Sequence, residues 1–106
     1  VAARQRWIAA VQARMTAFDA LLMPTVPQLA PRIDALVQDE DAYFRANGLM
    51  LRNPTLINFL DGCALTLPCQ QPGAAPVGLM LAGVGGQDRH ILALGLAIES
   101  ALGSAP

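Results

Sequence analysis

Lysine is absent from this 106-residue chain. That excludes the Gly-Lys-Ser/Thr core of a phosphate-binding loop, and the cluster Gly83, Gly85, Gly86 also lacks GxGxxG spacing. Charge of either sign is scarce, at 14% of residues, and the net charge is −1. The seven arginines are scattered, with no basic stripe or arginine-rich arm, so nucleic acid is not an expected partner. Histidine occurs once, at His90 beside Asp88 and Arg89, where a surface or capping role suits it better than catalysis. Asp34, Asp39, Glu40, Asp41, Asp88 and Glu99 read as solvated charge near helix ends and loops. Asp19 and Asp61, next to apolar runs, read as hydrogen-bonded there.

Cysteine occurs twice, at Cys63 and Cys69. If the segment between them is extended, their Cα atoms stand about 20 Å apart at the rise of a strand. A disulfide needs about 7 Å or less. Free thiols and a reducing, cytoplasmic compartment are therefore expected. The spacing matches no usual zinc pattern, so no metal or other cofactor is expected. Cys63, Cys69 and Ser100 are the available nucleophile types near polar neighbours, and none has an adjacent base to activate it. No catalytic residue is assigned.

Long uninterrupted apolar runs are missing as well. The longest uncharged stretch, Gly62 to Gln87, could span a bilayer by length, but Pro68, Pro72, Pro76, Gln70 and Gln71 divide it. No membrane partner is expected. Arg4 and Arg6 are followed by amphipathic sequence, unlike a signal peptide.

Apolar residues are abundant, at 54%, with a mean hydropathy of +0.41. A chain this short buries only about 60–70% of the surface its unfolded form exposes. The expectation is one segment, residues 1–106, with an apolar face that normally packs against more protein. Beginning at Val1 rather than Met fits a piece of a longer chain.

Trp7, Val11, Met15 and Phe18 recur at helical spacing and predict a helix over Ala2 to Phe18, with Arg4, Arg6, Gln12 and Arg14 outward. Asp19 to Met23 reads as a buried strand stopped by Pro24, and Pro24 to Pro31 as an extended loop. The acidic run Asp39 to Asp41 suits a helix start. That helix is expected to break near Asn47–Gly48, and a new one to begin with Asn53 as its cap and Pro54 in its first turn. Cys63 to Pro68 and Val77 to Gly83 predict an antiparallel hairpin, apolar on both faces and so covered on both. Asp88 is expected to cap a last helix, Arg89 to Leu102, buried on more than one side.

Arg52 and Asn53 precede a helix expected to be buried, where a guanidinium would need a carboxylate from a substrate or from other protein, although an exposed arginine at a helix start is the more economical reading. Asn58, one turn inside that helix among apolar residues, should then be buried and hydrogen-bonded.

Four stretches together resemble amidase-signature enzymes: FDALLMPTVP at Phe18 to Pro27, TLINFLDGCALTLPC at Thr55 to Cys69, APVGLMLAGV at Ala75 to Val84 and DRHILALGLAIESAL at Asp88 to Leu102. They resemble, in order, a late strand ending in Pro-Thr-x-Pro, an Asn-containing helix with its following strand, a Pro-x-Gly strand and the closing helix. The resemblance implies an α/β fold, the C-terminal part of an α/β/α domain with a mixed sheet flanked by helices. It implies that Thr25, Arg52, Asn53 and Asn58 line or buttress a substrate cleft. It also implies a parent that hydrolyses a small amide with a lysine and two serines, of which this chain holds no counterpart. Alone, the chain should be inactive, its apolar faces covered by the remainder of an amidase or by a second subunit. The alternatives are a small α/β binding or oligomerisation module that dimerises over its apolar sheet, and a degenerate relative retained beside an active subunit.

Overall fold

The computed structural model describes residues 1–103. In chain order the elements are α1 (Ala2–Met15), β1 (Leu21–Pro24), α2 (Ile33–Val37), α3 (Glu40–Phe59), β2 (Cys63–Pro68), β3 (Gly78–Gly83) and α4 (Asp88–Gly103). β3 lies between β1 and β2, and both pairings are antiparallel. The expected hairpin is present, with Leu65 opposite Leu81 and Thr66 opposite Met80. The α/β class holds. The mixed sheet implied by the resemblance is an expectation for a larger fold, because these three strands are antiparallel throughout.

β3 is apolar on both faces because helices cover both. Side chains alternate along a strand. Met80 and Ala82 pack on Ile57 of α3 together with Met23. Leu81, with no exposed surface, packs on the other side against Leu67 and Ile91 of α4. α4 comes close enough to the sheet that a Cβ on Gly95 would run into the Leu65 side chain. The loop from β2 to β3 turns at Pro72–Gly73, where Ala74 N–H bonds the Gln71 carbonyl and Gly73 has φ 81°. Proline then glycine with positive φ is the signature of a type II turn.

α3 differs from expectation. It runs unbroken for 20 residues through Gly48 and Pro54. Asp39 is its cap, with Oδ1 accepting from Ala42 N at 3.1 Å, while Glu40 and Asp41 face the positive end of the dipole. Proline inside a helix removes one hydrogen bond, and here the helix continues past it. Asn53 is therefore an interior residue rather than a cap. The helix ends in a Schellman motif: Gly62 N–H reaches the Ile57 carbonyl, Asp61 N–H the Asn58 carbonyl, and Asp61 has φ 55°.

α1 stops at Met15, short of the expected Phe18, and Arg4 turns inward rather than outward. Arg4 Nε donates to the Phe59 carbonyl at 2.9 Å and Nη2 meets Asp61 Oδ1 at 2.8 Å. Its guanidinium carbon lies 5.1 Å from the Phe59 ring centre, and Trp7 stacks obliquely on the same ring at 5.5 Å. α1 is thus held at the C-terminal end of α3.

The molecule is a slab, 45 × 44 × 17 Å, with a radius of gyration of 16.2 Å. A compact chain of this length would give about 13 Å. The outer face of α4, expected to be buried, is open: Leu96 is 70% exposed. Ile33 and Val37 of α2 and Phe44 of α3 are also exposed. Among the described residues no helix is long and apolar enough to cross a membrane.

Candidate functional site

Where β1 leaves the sheet, three elements meet. Antiparallel register places Pro24 opposite Leu79, and Thr25 N–H extends the ladder by one bond to the Gly78 carbonyl, 3.0 Å. Thr66 lies across the same end from β2, and the Thr25 and Thr66 hydroxyls hydrogen-bond at 3.1 Å. They meet over Gly78. A Cβ there would stand 2.7 Å from Thr25 Oγ1 and 2.7 Å from the Thr66 methyl. The missing side chain is what admits the pair.

α3 secures this corner from the side. Asn53 Nδ2 donates to the Pro24 carbonyl at 2.7 Å, and Arg52 Nε donates to Asn53 Oδ1 at 3.3 Å. The Asn53 amide is thus oriented at both ends. Of the four residues expected to line or buttress a cleft, Thr25 and Asn53 both engage this corner and Arg52 reaches it through Asn53. Arg52 is exposed, as the more economical of its two readings had it, and needs no buried carboxylate. Asn58 is also exposed, contrary to expectation, because α3 buries Ile57 and Leu60 and turns residue 58 away.

Two adjoining hollows flank the corner. One, about 340 Å³, is lined by Thr25, Thr66, Gln70, Pro76, Val77 and Gly78 among others. The second, about 230 Å³, shares Val26, Pro76, Val77 and Gly78 with it and adds Gln28, whose buried Nε2 has no partner among the described residues. Gln70 Oε1 accepts from Val77 N at 3.2 Å and ties the hairpin loop to the rim. No charged side chain lines either hollow. Thr66 and Gln70 escape a reading as site residues, whereas Gly78 is the glycine of the Pro-x-Gly stretch. Thr66 does carry a signal, being the polar residue inside the apolar run Ala64 to Pro68.

The remaining titratable groups have structural surroundings. His90 Nε2 donates to the Asp19 carbonyl at 2.8 Å, tying α4 to the turn before β1. Cys63, which opens β2, and Cys69, just past its end, are free thiols. Burial, and then the charge of Asp88, push the Cys63 thiol above its ordinary pKa, which makes it a poor nucleophile. Among the described residues no group of His, Cys, Asp and Glu is arranged to hold a metal ion.

This helix–sheet–helix layering and ordered set of motifs define an amidase-type α/β segment. The Amidase family profile matches residues 1–92, and the chain belongs to that family. It is 36% identical over 86 residues to 2-amino-5-chloromuconic acid deaminase of Comamonas testosteroni, covering 80% of this chain and 18% of that protein. It is 32% identical over 90 residues to mandelamide hydrolase of Pseudomonas putida, covering 83% and 17%. An uncharacterized protein in the nthA 5′ region of Rhodococcus erythropolis is 29% identical over 98 residues, covering 92% and 49%. The chain thus spans less than half the length of these relatives. No solved structure gives a significant match.

Proposed function

We propose that this chain is the C-terminal part of an amidase that hydrolyses a carboxylic amide to a carboxylate and ammonia, and that it supplies one wall of the substrate cleft. The family match over residues 1–92 carries the reading. The chemistry belongs to the lysine and serines of the longer enzyme. There the lysine draws a proton through one serine, a second serine attacks the carbonyl, and backbone N–H groups hold the oxyanion. Water then releases the acyl group. Thr25 and Asn53 build the wall, Arg52 orients Asn53, and Asn58 lies further along the same helix, on a face left for other parts of the enzyme. A cytoplasmic location is proposed with it, in keeping with two free thiols.

The open apolar surface supports this reading over a self-sufficient module. The accessible surface is 7521 Å², whereas a folded monomer of this mass exposes about 5,650 Å². Sequencing the gene upstream of the Val1 codon tests the proposal. An open frame encoding a lysine and a Gly/Ser-rich serine motif is expected. A start codon at or just before Val1, with ammonia released from amides by the purified chain itself, would sink it.

A further inference from the structure

α4 presents a second surface, away from the Thr25–Thr66 corner. Its inner side packs toward the sheet through Ile91, Leu94 and Ile98. Its outer side carries Arg89, Leu92, Leu96 and Glu99, spaced three, four and three residues apart, which sets them along one ridge. Leu92 is 56% exposed and Leu96 70%. Ala93 and Ala97 beside them are exposed too, and their small side chains leave the leucines standing clear. Between Arg89 and Glu99 the only polar side chain is His90, and it is engaged with the Asp19 carbonyl. Neither Arg89 nor Glu99 has an ion pair among the described residues. Next to Leu92 lies a hollow of about 170 Å³, lined also by Cys63, Ala64, Leu65, Asp88 and Ile91.

We propose that this ridge docks a second copy of the chain, with the two α4 helices antiparallel across a two-fold axis level with Leu94. The order basic, apolar, apolar, acidic is its own complement when reversed. In that register Arg89 of each copy faces Glu99 of the other, and Leu92 of each faces Leu96 of the other, as an isologous contact requires. Parallel pairing about a two-fold would instead set Arg89 against Arg89 and Glu99 against Glu99, a like-charge arrangement that selects against it. The incoming Leu96 arrives beside Leu92, where the hollow receives it as a knob enters a hole. The ridge spans about 15 Å at the rise of a helix. That is a short contact beside the roughly 800 Å² that each partner contributes to a standard interface, so a concentration-dependent dimer is expected. Further protein packed on α3 would lie across β3 from this ridge, and the two contacts do not compete.

The test is sedimentation velocity on the complete natural polypeptide that carries this segment, over a wide range of concentration. Its readout is mass, so it stands apart from the hydrolase proposal. The wild type is expected to pass from monomer to dimer as concentration rises. Leu96→Glu should stay monomeric, because it would bring two carboxylates into an apolar contact. Arg89→Glu and Glu99→Arg should each weaken the dimer about tenfold, by losing two rim ion pairs and gaining two like-charge contacts. The double exchange Arg89→Glu with Glu99→Arg should restore it, since the two-fold pairing is regenerated with its signs swapped. All of these positions are exposed, so thermal midpoints at low concentration should match the wild type, which separates lost docking from lost folding. A protein that is monomeric at every concentration, a dimer indifferent to Leu96→Glu, or charge reversals that the double exchange does not rescue would each overturn the proposal.

Discussion

Arg4 docks α1 through three contacts made by one guanidinium, and its removal is an informative perturbation. Three contacts disappear in Arg4→Ala. The bond from Nε to the Phe59 carbonyl is charge-assisted and contributes about 1.5 kcal/mol. The ion pair with Asp61 is solvent-exposed and contributes about 0.5 kcal/mol. Stacking over Phe59 adds about 0.5 kcal/mol. Because one guanidinium makes all three, they do not simply add, and about 2 kcal/mol is a fair total. At 1.4 kcal/mol per factor of ten, the ratio of docked to undocked α1 should fall about 30-fold. Trp7 is the sole tryptophan and lies 5.5 Å from Phe59, so its emission reports docking directly. Arg4→Ala should shift that emission to the red and raise acrylamide quenching, with little loss of far-ultraviolet ellipticity. Arg4→Lys keeps a charge but loses the fork, and should fall between. High salt should move the wild type only slightly, because the screened ion pair is the smaller share. Wild-type emission and quenching in Arg4→Ala would refute the reasoning.

Gly78→Ala should destabilise the chain by about 1–3 kcal/mol, the cost of overpacking, measured by urea unfolding, and should separate the threonine hydroxyls. Gln28→Leu should leave stability unchanged or raise it by about 1 kcal/mol, since it removes a buried donor without a partner; a clear loss in the same assay would mean that the donor is satisfied. Cys69 should react with a disulfide reagent before Cys63, because Cys69 is exposed and the Cys63 thiol is held neutral by burial and by Asp88; equal labelling by mass spectrometry would contradict this. The raised Cys63 pKa also sets a sign. Its contribution to stability is whole below the ordinary thiol pKa and is lost as pH rises toward the folded value. Cys63→Ala should flatten the alkaline decline in thermal midpoint.

β2 and β3 are legible in the sequence because apolar runs bounded by proline and glycine admit few alternatives, whereas β1, expected to be buried over Asp19 to Met23, is Leu21–Pro24 at the sheet edge with Leu21 and Leu22 exposed. The expected ranges match β2, Cys63–Pro68, to the residue and β3 to within one. α3 is less legible because Pro54 has two readings. Proline suits a first turn and also survives in a helix interior, and only tertiary contacts decide between them. Asn53 stands out in the sequence, but for the wrong reason. It looks like a cap because it precedes proline, whereas its side chain bonds Pro24, 29 positions away. Contacts of that range, like the Thr25–Thr66 pair, depend on cross-strand register, which periodicity along one segment does not reveal. The pattern of α1 sends Arg4 outward because apolar spacing takes no account of a partner carbonyl at another helix's end. Asn58 falls among apolar neighbours in the sequence, yet burial of Ile57 turns it outward.

Composition alone leads one to expect further contacts, and the packing shows which apolar surfaces stand open. The chain carries enough apolar residues for a larger core, yet the buried set is short: Ile8, Ile57, Leu60, Leu67, Met80, Leu81, Ala82 and Ile91. These residues sit where both faces of β3 are covered and where α1 meets the end of α3. Elsewhere the apolar stripes of α2, α3 and α4 face outward. The excess surface is about 1,900 Å² over a compact monomer of this mass, more than twice the roughly 800 Å² that one partner contributes to an ordinary interface. A single small-molecule site would leave most of it uncovered. Protein contacts on both sides of the slab would cover it, and under the proposed function the Thr25–Thr66 corner would lie at the margin between this chain and the protein packed on α3. A cleft wall needs that arrangement: a rigid sheet end, held by Asn53, facing a second body of protein across an uncharged hollow.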